Sequence, residues 1–110
     1  MAPLVSHIYD LGLVEAIAIP QTECFAGALQ FARTEGIVPA PEPTHAIAAA
    51  VREALACKES GEEKVILTAL CGHGHLDLAS YDQYMHGDMQ DLELSDEVIA
   101  EAMRDVPVLA

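Results

Sequence analysis

The chain has 110 residues, 52% of them hydrophobic and only 5% aromatic, with no Trp. That is one domain's worth of sequence, able to bury a core built from Ala, Val, Ile and Leu. Eighteen acids against five Lys and Arg leave a formal charge of −13, which excludes a nucleic-acid module and argues against docking on anionic lipid, since both need a basic footprint.

Pro3 to Leu11 places Leu4, Ile8 and Leu11 at helical spacing before Gly12. Val14 to Ile19 is a short run with alternating apolar and β-branched character, cut by Pro20, and reads as a strand. A second helix opens at Gln21-Thr22-Glu23, with Thr22 as N-cap, carries Phe25, Leu29, Phe31 and Ala32, and ends at Gly36. Pro39, Pro41 and Pro43 exclude a helix interior, so Thr44 is the expected N-cap of the next helix. Its apolar stripe is Ile47, Ala50, Val51, Ala54 and Leu55, and Ser60-Gly61 ends it.

Lys64 to Leu70 is a continuous apolar run of the kind found in strands covered on both faces, followed by a turn at Gly72 and Gly74. Asp77 to Met85 predicts a helix with Leu78, Tyr81 and Met85 on one side. Ser95 caps a short helix carrying Val98, Ile99, Ala102 and Met103. The expected fold is α/β, a small open sheet of about two parallel strands packed by four to five helices. Residues 1–90 form its body and residues 91–110 an acidic tail with a short helix. The charge is concentrated late, since residues 61–110 hold eleven acids and two bases, and it reads chiefly as a solvation device.

No apolar stretch approaches a membrane span; Ala46 to Val51 is the longest clean run. No export signal is visible at the N-terminus. Cys24, Cys57 and Cys71 are odd in number and lack CxxC spacing, which points to reduced thiols in a cytoplasmic protein.

In an open α/β sheet, ligands sit beyond the carboxyl ends of the strands. Two stretches qualify: Pro20 to Glu23, and Cys71-Gly72-His73-Gly74-His75. For the second, three readings stand side by side. The first is a close-packed turn and the second a metal site using Cys71, His73 and His75. In the third, Cys71 is a nucleophile with a histidine base. Glu42, between two prolines ahead of a helix, reads either as a rim charge or as a carboxylate aimed at a ligand.

The stretch Thr34-Glu35-Gly36-Ile37-Val38-Pro39-Ala40-Pro41-Glu42-Pro43-Thr44-His45-Ala46 resembles the "EGI-PA-E-SHA" signature of the tryptophan synthase β chain, a fold-type-II pyridoxal-phosphate enzyme. Val65 to Leu78, centred on Leu70-Cys71-Gly72-His73-Gly74, resembles the strand and glycine turn beneath the cofactor's pyridine ring. Met1 to Ser6 and Tyr81-Asp82-Gln83-Tyr84 look like the divergent second subgroup. The resemblance runs from Met1 to about Met103 and to the C-terminal part of that enzyme only. It implies that Glu42 is the loop carboxylate near the cofactor ring and reacting amino acid. It also implies that Cys71 stands where a serine usually hydrogen-bonds the pyridine nitrogen, and that Gly72, His73 and Gly74 form the ring-side turn. Pro43 and Thr44 depart from the family's two serines. A thiol at Cys71 is the weaker hydrogen-bonding group.

The Schiff-base lysine and the glycine-rich phosphate cradle lie upstream in that family. Lys58 and Lys64 match neither, and the chain contains no Gly-Gly-Gly-type loop. The expectation is therefore a chain that is not a competent tryptophan synthase alone, with pyridoxal phosphate implied by the family but not held by this chain unaided. A homodimer or an N-terminal companion chain is the expected partner. A non-enzymatic binding module is the main alternative and a small metal-binding protein a minor one.

Overall fold

The computed structural model describes residues 2–92, 95–104 and 106. Among these residues there are five α-helices: α1 (Pro3–Asp10), α2 (Gln21–Glu35), α3 (Pro41–Ser60), α4 (Leu78–His86) and α5 (Asp96–Ala102), with a 3₁₀ turn at Gly74–Leu76 before α4. All five helices expected from the apolar spacing are present. Parts of the acidic tail lie outside the described residues.

Two caps differ from expectation. α3 starts four residues early, at Pro41, with Ala40 rather than Thr44 as its N-cap. Pro41 and Pro43 occupy its first turn, not its interior, where a missing amide and a fixed φ cost nothing, and Pro39 precedes the cap. Thr44 is therefore inside the helix, fully buried, and its hydroxyl donates to the Pro41 carbonyl at 2.5 Å. At α2 the N-cap is Pro20, without a side-chain cap. Thr22 instead donates its amide to Asp91 Oδ1 at 3.0 Å and its hydroxyl to the other oxygen of that carboxylate. A carboxylate from far along the chain thus satisfies the first turn and lies at the favourable end of the helix dipole. Ser95 does cap α5, accepting from the Val98 amide.

α2 and α3 pack together as the body of the fold. At Gly27 the helices lie close: a Cβ built there would stand 3.7 Å from the Ala48 backbone, an ordinary contact distance. Across the same pair, Arg52 Nε donates to Glu23 Oε1 at 2.5 Å and its Nη2 to the second carboxylate oxygen. The core is centred on aromatic residues rather than on aliphatic ones alone. Phe25 and Tyr81 are buried and meet edge to face at 5.0 Å, while Tyr84 stacks on Phe25 at 5.7 Å. Ala28, Leu29, Val38 and Met89 pack around them. Three of the chain's five aromatic residues are concentrated here, each supplying more contact area than an aliphatic side chain.

Among the described residues there is no β-ladder. Residues 14–19 and 65–70 make no backbone hydrogen bonds with each other or with other described segments, and the sole bridge joins Pro39 to His73 in antiparallel sense. Val65 and Leu67 are 99% and 97% exposed. The radius of gyration is 16.9 Å, against about 13 Å for a compact chain of this length. An apolar run left this open is a strand in composition without the neighbours that would make it one.

Candidate functional site

The two sequence motifs meet through the backbone. The Ala40 amide donates to the Gly72 carbonyl at 3.1 Å, and the Gly74 amide donates to the Val38 carbonyl at 2.8 Å. Between these bonds, the Tyr81 hydroxyl of α4 donates to the Pro39 carbonyl at 2.6 Å in a buried setting. Burial raises the Tyr81 pKa, with Asp77 adding to the effect, so the phenol stays a donor. The loop before α3 and the turn after residue 70 are therefore one unit. Cys71 adjoins one bonded residue of that unit, and Glu42 stands two residues beyond another.

Both glycines of the turn are required by this contact. Gly72 has φ +129°, and a Cβ there would lie 2.9 Å from the Ala40 Cβ. At Gly74 a Cβ would collide with the Pro39 carbonyl oxygen and sit 3.0 Å from Val38 Cγ1. The space left by the missing side chains is taken up by the chain itself. Close packing of the turn, the plainest of the sequence readings, is thus a structural fact.

Glu42 and Cys71 are both exposed. Glu42 occupies the first turn of α3, where a carboxylate is favoured, and its carbonyl is 3.2 Å from His45 Nδ1. His73 Nδ1 accepts the His75 amide at 3.1 Å, capping the 3₁₀ turn. Among the described residues no three His, Cys, Asp or Glu side chains are grouped to hold a metal ion. All three cysteines are free, with Cys24 buried and Cys71 exposed. Burial raises the Cys24 thiol pKa.

A whole pyridoxal phosphate does not fit the groups present. Lys64 Nζ is bound to Glu53 at 2.9 Å and to Glu62 at 3.2 Å. These carboxylates raise its pKa and keep it protonated, the wrong state for a nucleophilic amine. Lys58 lies in the last turn of α3. A cleft of about 620 Å³ is lined by Ala18 to Gln21, His45, Asp91 and Leu92 and includes neither Glu42 nor the 71–74 turn. Neither Lys58 nor Lys64 lines that cleft.

The Tyr81 clamp and the Asp91 anchor escaped the sequence reading. A tyrosine on an apolar helix face does signal that its hydroxyl needs a buried acceptor, but not which one. Asp91 and Thr22 are separated by 69 residues, and no local pattern links them.

No family model matches the chain. Curated proteins do. The chain is 62% identical over 90 residues to "Tryptophan synthase beta chain 2" of Aquifex aeolicus, covering 82% of this chain and 21% of that protein. It is 56% identical over 89 residues to the protein of the same name from Methanosarcina mazei, covering 81% and 20%. With that of Pyrococcus furiosus it shares 46% identity over 107 residues, covering 97% and 24%. The chain spans between a fifth and a quarter of the length of these relatives. Over nearly its whole described length, the chain is tryptophan synthase β chain-like and corresponds to one segment of that larger protein.

Proposed function

We propose that this chain is the C-terminal segment of a tryptophan synthase β-like fold, non-catalytic alone, which supplies one wall of a pyridoxal-phosphate site completed by a companion polypeptide. The companion would carry the lysine and the phosphate loop. The observation that supports this most is the link between Val38–Ala40 and Gly72–Gly74, clamped by Tyr81, which unites the two motifs shared with the family inside this short chain. Glu42 is then the carboxylate beside the ring. Cys71 faces the pyridine nitrogen with a thiol, and Gly72, His73 and Gly74 form the turn under the ring. Conversion of serine plus indole to tryptophan is the type of chemistry the family name suggests for the completed assembly. Residues 14–19 and 65–70 serve as strands of a larger α/β sheet, and the acid-rich stretch after residue 90 keeps the isolated segment in solution. Free cysteines suit a reducing cytoplasm. No helix among the described residues is long and apolar enough to cross a membrane.

The test is an absorbance titration with pyridoxal phosphate. The chain alone is expected to give no saturable imine band, and a lysine-bearing companion is expected to restore one. A saturable band from the chain alone, abolished by Lys58→Ala or Lys64→Ala, overturns the proposal.

A further inference from the structure

Of the two stretches that follow an expected strand, residues 20–23 have no part in the unit clamped by Tyr81. Pro20 and Gln21 instead border the cleft of about 620 Å³, together with Ile19, His45 of α3, Asp91 and Leu92. Neither Glu42 nor the 71–74 turn lines it, so it is separate from the site described above. Its volume is that of a small-molecule site, which spans about 300–1,000 Å³.

Three side chains of this lining offer hydrogen-bond acceptors. Gln21 donates from Nε2 to the Gln90 carbonyl at 2.5 Å, so its other polar atom, Oε1, is an acceptor. His45 Nδ1 lies 3.2 Å from the Glu42 carbonyl. A carbonyl only accepts, so the proton sits on Nδ1 and the neutral ring presents Nε2 as an acceptor. Asp91 takes the Thr22 amide on Oδ1 and the Thr22 hydroxyl on Oδ2. Those bonds use two of the carboxylate's roughly four lone-pair positions and fix its orientation. They also hold its pKa below the usual carboxylate range, so it is ionised at neutral pH.

This chemistry selects the occupant. An ammonium group has three donors and no acceptor, the complement of what the lining presents. An anion is repelled by Asp91, and the Thr22 amide that would draw it to the start of α2 is already bonded. A free amino acid brings such an anion with it. Among the described residues no three His, Cys, Asp or Glu side chains are grouped to hold a metal ion. Glu23 feels the Asp91 charge but is itself paired with Arg52, and the formal charge of −13 draws cations to the whole surface. Ile19, Pro20 and Leu92 supply apolar surface beside the acceptors.

We infer that the cleft between residues 18–21, α3 and residues 91–92 binds a primary organic ammonium with a small apolar body. The ammonium is held by Asp91, Gln21 and His45, and the body lies against Ile19, Pro20 and Leu92. The site uses none of the groups assigned to the cofactor wall and needs no companion chain.

The test titrates the chain at neutral pH and constant ionic strength with 2-phenylethylammonium, read by calorimetry and by amide chemical shifts in nuclear magnetic resonance. Saturable one-to-one binding is expected, with shifts confined to residues 18–22, 45 and 90–92. The corresponding alcohol and 3-phenylpropionate keep the ring without the ammonium and should bind about tenfold more weakly or worse. Asp91→Asn should weaken binding about tenfold or more, because a charge-assisted bond is lost. Glu59→Gln removes the same charge from an exposed position of α3 and should leave affinity within about twofold. His45→Ala leaves the Thr22–Asp91 bonds in place and should weaken binding about threefold or more, with unchanged circular dichroism. It carries the test if Asp91→Asn loosens the chain around residue 91. Absence of saturable binding, equal binding of the alcohol, or shifts spread over the acidic surface each overturns the inference. So does an Asp91→Asn variant no weaker than Glu59→Gln, or a His45→Ala variant that binds like the parent.

Discussion

Gly74→Ala is the most direct probe of the unit that joins the two motifs. The added Cβ would overlap the Pro39 carbonyl oxygen and press on Val38 Cγ1 at 3.0 Å and Pro39 C at 3.1 Å. Backbone on both sides must separate, and three hydrogen bonds depend on that contact: Gly74 to Val38, Ala40 to Gly72, and Tyr81 to Pro39. At about 1 kcal/mol each, their loss destabilises the fold by about 3 kcal/mol. With a urea dependence of about 1.5 kcal/mol per molar, the unfolding midpoint falls by about 2 M. Gly87→Ala is the control. Gly87 has φ +78° and nothing within 4 Å of a Cβ, so only left-handed strain of about 1 kcal/mol applies, a shift of about 0.7 M. Both variants are compared with the parent by tyrosine fluorescence and circular dichroism across a urea series. A Gly74→Ala shift no larger than that of Gly87→Ala refutes the reasoning, for it would mean that the 38–40 and 72–74 segments part without cost.

Two further outcomes follow from the ion pairs and the thiols. Glu23 is held below the usual carboxylate range chiefly by its hydrogen bond from Arg52, and Asp91 by those from Thr22. Because their pKa values are lower folded than unfolded, their stabilisation is present above the ordinary carboxylate range and is lost as pH falls through the folded values. The stability difference between wild type and a Glu23→Gln, Asp91→Asn variant should therefore be full at pH 7 and shrink below about pH 4. A difference constant from pH 7 to pH 3 contradicts this. Among the cysteines, a thiol reagent at pH 8 should modify Cys71 first and Cys24 only on unfolding, because Cys24 is 1% exposed and its pKa is raised by burial. Peptide mapping of partly labelled protein reads the order, and equal rates at the two positions refute it.

Helix positions were legible because their signals are local. The spacing of Ile47, Ala50 and Val51, and the glycines at 36 and 61, mark α3 and the ends of both long helices. Thr22 and Thr44 misled because a hydroxyl residue at a helix start is also what a distant carboxylate, or the helix's own first turn, can use. Val65 to Leu70 has the composition of a buried strand, yet pairing requires neighbours, and no described segment provides them. The candidate site divides in the same way. The glycine turn was visible as a close approach, and Glu42 as a carboxylate at a helix start. The clamp that ties them depends on Tyr81 meeting a carbonyl 42 residues earlier, a tertiary event with no periodicity to betray it.

The Asp91–Thr22 anchor has a consequence for how the chain is born. Thr22 leaves the ribosome 69 residues ahead of its acceptor, and at the usual rates of synthesis that interval is roughly 3 to 14 seconds. Through that time the first turn of α2 is exposed to water without the carboxylate that later holds it. The pairing of α2 with α3 needs nothing beyond residue 60, so it is complete in principle while the anchor is still being synthesised. The nascent chain therefore acquires its helical hairpin first and its seal at the N-terminal end of α2 last.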